Sequence, residues 1–292
     1  TIDYVSPPTP FDGEIISSDS TTIKVNLLDV SNLNNLNFTF NSVNYNLFDN
    51  SVVLKLNLDN NSNIGETSSK VVSFDNKING TIYTATWDTV GKSDGSIFFP
   101  GTGDNKVDLT NNADLTCSTS WTVELWVKFG IQTYDYAHII ERYGPGYTQR
   151  GWMYTAYLKA DNYTYFSIYS ADGSYKQIRI DNLKDNKWHY VAFVLNGTNI
   201  SAYADGSYVR SNTITGYVCS TSSLLLGCTT YESCVNRKFL GNIDEVTIYN
   251  RSLTADEIEF NYNSQLQKVS STNFVLEVNK TDLAVGEYSY SV

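Results

Sequence analysis

Residues 241–262 read GNIDEVTIYNRSLTADEIEFNY, and the stretch holds two different elements in succession. Ile243, Val246, Ile248 and Tyr249 enrich its first half in β-branched and aromatic side chains, which suit a pleated strand. Asp244 and Glu245 are adjacent there, and a regular strand sends neighbouring side chains to opposite faces, so the spacing separates their carboxylates. Thr254-Ala255-Asp256-Glu257 then has the form of a capping box, and Ile258 and Tyr262 recur at a four-residue spacing. A strand followed by one short capped helix, packed on a sandwich edge, is the expectation.

Working outward, the preceding chain is a succession of strand-like runs: SVVLKLNLD from Ser51, then KVVSF, GTIYTATW, GSIFFPG, WTVELWVKF, HIIERY, WMYTAYL, YFSIYS, YKQIRI, WHYVAFVLNG, NISAYAD and SYVRS. Asp172-Gly173 and Asp205-Gly206 each separate two such runs, and Asp-Gly supplies the positive φ of a tight hairpin turn, so the strands are antiparallel. WHYVAFVL lacks polar alternation, as a central strand covered on both faces would, whereas WTVELWVKF alternates. Composition agrees, with 22 Tyr, 13 Phe and 5 Trp against 1 Met. The predicted fold class is all-β, an antiparallel sandwich.

The chain has 292 residues, enough for two domains, with 41% hydrophobic and only 17% charged residues. Its surface is therefore largely neutral and rich in Asn, Ser and Thr, a secreted profile. A net charge of -11 repels phosphate backbones and anionic headgroups, which argues against nucleic acid and membrane surfaces as partners. No apolar run approaches the ~18 residues of a bilayer-spanning helix. Because the chain begins at Thr1, it reads as processed or as excised from something longer. The cysteines, Cys117, Cys219, Cys228 and Cys234, lack CxxC or Cys/His metal spacing and suggest two disulfides, for which three connectivities exist. Cys228 with Cys234 and Cys117 with Cys219 is the preferred set, with free buried thiols as the alternative. Asn-x-Ser/Thr sequons occur at Asn37, Asn60, Asn79, Asn162, Asn196, Asn199, Asn250 and Asn279, which agrees with export.

The opening stretch closely resembles the terminal signature of the laminin-G-like, concanavalin A-like jelly-roll family, G-x-I-D-E-V-x-I-Y-N-R-x-L-[ST]-x-x-E-I. SDGSIFFPGTGDNKVDL (93–109) and DNKWHYVAFVLNGTNISAYADGSYV (185–209) match further family blocks in order and spacing. Departures are small, such as Lys106 where an aromatic is common and Ala204 before the Asp-Gly turn. The resemblance implies a large jelly roll over residues 51–265. Family members often hold calcium near the sandwich edge, and it implies Asp59, Asn61 and Asp244 as candidate ligands; the alternative is that Asp244 bonds a turn and Asp59 caps a loop.

The two chain ends carry a second resemblance. Residues 4–50, where Ile23, Val25 and Leu27 and then Leu36, Phe38 and Phe40 alternate with polar residues, and NFVLEVNKTDLAVGEYSYSV after the jelly roll resemble two parts of one immunoglobulin-like or fibronectin-III-like repeat of archaeal surface-protein type. The expected domains are then a small discontinuous sandwich, 1–50 with 266–292, and the jelly roll inserted in one of its loops. The alternative is a single large sandwich with decorated ends. The flanks read as one strand short of seven. Thr1, Ile2, Asp3, Tyr4 and Val5, ahead of the stiff Pro7-Pro8-Thr9-Pro10, are expected to fill that place in another copy, beside Tyr288, Tyr290 and Val292, giving a head-to-tail homopolymer.

A glycosidase needs two facing carboxylates. Glu124 stands alone, Asp244 and Glu245 diverge, and Glu141 has only His138 nearby, so catalysis is not expected. Tyr134, Tyr136, Tyr143, Tyr147 and Trp152, with Arg142 and Arg150, form a candidate glycan-binding set, unless they serve as core or packing. Three function classes follow: a cell-surface filament or layer subunit with an outward adhesive jelly roll, which explains most features; a lectin, adhesin or tandem-repeat segment; and a carbohydrate-binding appendage of a hydrolase.

Overall fold

The structure, a computed structural model, describes every residue except 32, 110–114, 116–117, 145–150, 157–162, 218, 221 and 231–233. The chain divides into two compact units, Val52–Leu253 and Thr1–Ser51 with Thr254–Val292. In chain order it begins with β1 (Ile2–Tyr4), β2 (Thr21–Leu27), β3 (Leu36–Phe40) and β4 (Val43–Phe48). The larger unit then contributes β5 (Val52–Leu56), β6 (Lys70–Val72), β7 (Asn79–Ile82), β8 (Thr86–Asp88), β9 (Ser96–Pro100), β10 (Val107–Leu109), β11 (Ser120–Phe129) and β12 (Ala137–Arg142). It continues with β13 (Trp152–Ala156), β14 (Tyr163–Tyr169), β15 (Tyr175–Asp181), β16 (Trp188–Asn196), β17 (Asn199–Ala204), β18 (Ser207–Thr213), β19 (Leu224–Leu226) and β20 (Leu240–Tyr249). The chain returns through α1 (Ala255–Tyr262), β21 (Ser264–Lys268), β22 (Phe274–Lys280) and β23 (Tyr290–Ser291).

The larger unit is an antiparallel sandwich. One sheet runs β15-β14-β13-β12-β19-β10-β7-β6; the other runs β18-β17-β16-β11-β20-β9-β8, with β5 on the second half of β20. Its core lies between them, where Trp121 of β11 meets Trp152 of β13 at 5.6 Å and Phe193 of β16 stacks on Phe166 of β14 at 4.3 Å. β16 is buried without a break from Tyr190 to Leu195, as the unalternating sequence predicts. Both Asp-Gly turns close hairpins: Asp205 and Gly206 have φ of 48° and 78° between β17 and β18, and Gly173 has 79° between β14 and β15.

In the smaller unit, Ile23, Val25 and Leu27 of β2 and Leu36, Phe38 and Phe40 of β3 are buried, the alternating sets read from sequence. The capping box is present, with Thr254 Oγ1 accepting from Glu257 N–H and the Glu257 carboxylate accepting from Thr254 N–H. Sequence pattern alone attaches α1 to the jelly roll, up to residue 265. The structure returns to the smaller unit at Thr254, because β21 pairs with β22 and Phe260 of α1 stacks on Tyr45 at 4.0 Å.

Among the described residues this unit has seven strands in two sheets, β1-β2-β22-β21 and β23-β3-β4. The place expected to await another copy is therefore filled by the chain itself. Ile2, Asp3 and Tyr4 lie opposite Leu27, Asn26 and Val25; Thr1 donates its amine to Leu28 O and Val5 its N–H to Lys24 O. Tyr290 pairs with Phe40 in β23, Tyr288 stacks on Phe40 at 5.5 Å, and Val292 follows half-buried. With Tyr4 against Tyr290 at 5.7 Å, the described residues give no support to the open groove on which a head-to-tail filament depends.

Candidate functional site

Asp59, Asp244 and Glu245 bring carboxylate oxygens within 4.8 Å of one another. The sequence spacing sends Asp244 and Glu245 to opposite faces; the structure corrects this through a β-bulge. Glu124 and Trp126 of β11 oppose Thr247 and Asp244, so Leu125 alone faces Glu245 and Val246. Glu245 takes φ 49° in the extra position and rejoins Asp244. Asp59 arrives from the turn after β5, and Gly95 closes the site: its N–H donates to Asp59 Oδ1 at 3.3 Å, and a Cβ there would lie 2.9 Å from the Asp59 backbone.

Glu245 accepts from Lys55 Nζ at 3.1 Å and from Asn57 Nδ2, Asp244 Oδ2 accepts from Lys92 N–H at 2.8 Å, and the Lys92 ammonium itself sits 4.1 Å over the Trp126 ring. Burial, reinforced by the charges of Glu245 and others nearby, pushes the Asp59 carboxyl up to about 8. Burial and the charges of Glu245 and Asp59 hold Asp244 well above the usual carboxylate range. Burying a charged carboxylate costs several kcal/mol. Protonation or a bound cation would relieve that cost at Asp59 and Asp244. A hard divalent cation fits the donor set, which is all oxygen; Asp59, Asp244 and Glu245 would hold it, and it would tie β5 to β20.

Of the ligands expected from sequence, Asp59 and Asp244 meet. Asn61 instead caps the short 3-10 turn Ser62–Ile64, accepting from Asn63 N–H, and its own N–H donates to buried Glu66, whose carboxyl burial pushes up to about 7. Glu245 was missed because its signal lies in the strand register and nowhere in the local pattern.

The candidate glycan set disperses. Trp152 is a core residue with no exposure, so it is removed from that role, and Arg142 is likewise buried. Tyr143 is buried and stacks on Tyr169 at 5.7 Å. Tyr134 is half-buried, and Tyr136 is exposed with the Arg237 guanidinium 5.5 Å from its ring. Tyr147 and Arg150 lie outside the described residues.

A second bulge, between His138 and Ile140, brings His138 Nδ1 to 2.7 Å from Glu141 Oε2, while Glu141 Oε1 accepts from Thr230 N–H. Both side chains are fully buried, which makes the pair an internal brace. Cys228 and Cys234 form a disulfide with Cα atoms 5.3 Å apart. Cys219 is also disulfide-bonded, and Cys117, its expected partner, lies outside the described residues. Sequon residues Asn37, Asn60, Asn79, Asn196, Asn199, Asn250 and Asn279 are exposed, and Asn162 lies outside the described residues.

The profile of the concanavalin A-like lectin/glucanases superfamily (Laminin_G_3) matches residues 101–259. No curated protein matches the chain. Similar solved structures include the binding domain of Paraclostridial Mosquitocidal Protein 1, at 16% identity and TM-score 0.58 over 73% of this chain and 52% of that one. The Botulinum Neurotoxin serotype G binding domain is 14% identical with TM-score 0.55, covering 72% of this chain and 50% of that one. The binding domain of Botulinum neurotoxin DC, in complex with rat synaptotagmin II, is 16% identical with TM-score 0.53, covering 73% and 51%. The chain spans about half the length of these structures, and at such identities the likeness is one of fold.

Proposed function

The chain belongs to the concanavalin A-like lectin/glucanases superfamily, and from that premise we propose that it is a non-catalytic, extracellular glycan-binding module whose jelly roll is stabilised by calcium. The observation that carries this reading is the buried cluster of Asp59, Asp244 and Glu245, which joins β5 to the strand bearing the family signature. The ion's work is structural: it neutralises charge that burial would otherwise force to protonate, and so holds the edge of the sandwich on which ligand recognition depends. The described carboxylates support a binding role over hydrolysis, since Glu141 is bound to His138 and Thr230, and Glu245 to Lys55 and Asn57.

The disulfide suits an oxidising compartment. The four-plus-three strand set of the smaller unit supports an immunoglobulin-like or fibronectin-III-like mount, in a surface protein of the archaeal type that the chain ends resemble. The test is calorimetric titration of calcium into chelator-treated protein, paired with a glycan array read with and without calcium. Stoichiometric calcium binding with calcium-dependent glycan signal supports the proposal; a flat calcium titration removes the metal, and an array silent in both conditions removes the lectin.

A further inference from the structure

We propose that Glu66 is the positioning residue of the calcium site: its buried carboxylate holds the backbone that presents Asp59, and so sets calcium affinity without itself serving as a ligand; this rests on the calcium reading above. The run Leu58-Asp59-Asn60-Asn61-Ser62-Asn63-Ile64-Gly65-Glu66 supplies the parts. Leu58 and Asn60, on either side of Asp59, both have left-handed φ, 64° and 57°. Residues other than glycine rarely adopt that backbone, and it persists only where its surroundings hold it. Left-handed residues interspersed in a turn also point successive N–H groups to one side, which makes a concavity suited to an anion.

Glu66 fills that concavity. It is 2% exposed, its Oε2 accepts from Asn61 N–H at 2.8 Å, and the N–H groups of Asp59, Asn60 and Val72 also bond its carboxylate. The intervening residues fold it back onto the loop. Asn61 caps the turn Ser62–Ile64, Ile64 is buried, and Gly65, with φ 96°, donates its N–H to Ser62 O and reverses the chain. Glu66 N–H then donates to Asn61 O at 3.3 Å. One carboxylate thus ties three consecutive loop residues to the end of β6, whose last residue is Val72.

Glu66 acts on Asp59 through the backbone more than through charge. Burial, and then the charges of Glu245 and Asp94, raise the Asp59 carboxyl more than the charge of Glu66 does. Nor does Glu66 belong to the three carboxylates that converge within 4.8 Å. Its work is to order the loop before the ion arrives, so that binding loses less conformational entropy. Groups that orient a metal ligand from behind in this way carry about 10- to 100-fold in metal affinity. Glu66 Oε1 has no hydrogen-bond partner, so an amide nitrogen in its place leaves the contacts of Oε2 intact.

The experiment uses the full, chelator-treated chain with calcium as the probe: calorimetric titration, paired with amide hydrogen exchange of the calcium-free protein. Glu66→Ala should weaken calcium binding about 10- to 100-fold and speed exchange at residues 59–61, while the amides of β20 exchange as in the wild type. Glu66→Gln should stay close to the wild type in both measurements. Gly65→Ala strains the φ of 96° but alters no carboxylate, and it should weaken binding in the same direction; it decides the matter if Glu66→Ala fails to fold. Wild-type affinity in both Glu66→Ala and Gly65→Ala overturns the positioning role and leaves the metal reading in place. A Gln variant as weak as the Ala variant, with Gly65→Ala unchanged, assigns the effect to charge and overturns the role as well. A flat titration of the wild type overturns the metal reading, and this inference with it.

Discussion

Asp244 and Glu245 follow one another in β20 and send their carboxylates to one cluster, which Asp59 joins from the turn after β5. The left-handed backbone of Glu245 makes this possible, and Lys55 forms a direct ion pair with Glu245. The site is therefore strained electrostatically whenever it is both ionised and empty, and its behaviour toward calcium and acid follows from that imbalance.

Calcium at a hundredfold excess over its Kd stabilises a one-site protein by about 2.7 kcal/mol, or a rise in Tm of about 5 to 10 °C for a unit of this size. Differential scanning calorimetry should show that rise in the wild type. Asp59→Asn should lose most of it. The same substitution should raise the Tm of calcium-free protein, because an amide accepts the Gly95 N–H without adding charge; a lowered calcium-free Tm would contradict the repulsion argument.

The acid response has a definite sign. Asp59 is raised from 3.8 to about 8, so the folded state favours its protonated form. That contribution to stability is complete below the unfolded value and is lost as pH rises through about 8. Chelated protein should therefore lose Tm between pH 5 and pH 8 relative to Asp59→Asn, and calcium should reverse the trend, because binding displaces the proton. Parallel pH curves for the two proteins would dissociate Asp59 from the effect.

Much of this arrangement is visible in sequence, and the exceptions share a cause. The unbroken apolar run of β16, the capping box at Thr254 and the alternating strands of both chain ends lie in local periodicity. The convergence of Glu245 with Asp244 and of His138 with Glu141 does not, because each depends on one extra residue in a strand, and a bulge is set by the partner strand. Trp152 illustrates a second limit: a cluster of aromatic residues does not reveal which members face the core, and its burial follows from the pairing of β13 with β12 and β14. The N-terminal strand itself is legible, but its pairing with β2 of the same chain, Ile2 opposite Leu27, is a long-range contact that local periodicity does not report.

His189 braces the β17–β18 turn, with Nδ1 2.8 Å from Asp205 and Nε2 2.9 Å from Asp185. The hydrogen bond to Asp205, opposed by burial and aided by Asp185, raises its imidazole above 6.5. This stabilisation is whole below 6.5 and fades as pH climbs through the folded value. His189→Gln should lower Tm at pH 5.5 and change it little at pH 9. An imidazole titration by NMR with a midpoint at or below 6.5 would refute the assignment.

The Cys228–Cys234 bridge closes a short loop beside Leu225. Loop-closure entropy assigns such a bridge about 2 kcal/mol. The paired substitution to serine should lower the denaturation midpoint accordingly, without altering the m-value, while calcium affinity stays as in the wild type because the site lies on other strands.

The N-terminal strand makes the sharpest claim about assembly. Tyr4 of β1 and Tyr290 of β23 meet within one chain, with Tyr290 also donating its hydroxyl to Pro10 O at 2.7 Å. A double-mutant cycle of Tyr4→Ala and Tyr290→Ala should give a coupling of about 1 kcal/mol, the scale of a ring pair. Because the strand is seated in its own chain, that coupling should be independent of protein concentration, and light scattering should report monomers across the same range. Coupling that grows with concentration, accompanied by oligomers that Tyr4→Ala shortens, would mean that the strand crosses to a neighbour after all, since only an intermolecular contact obeys mass action.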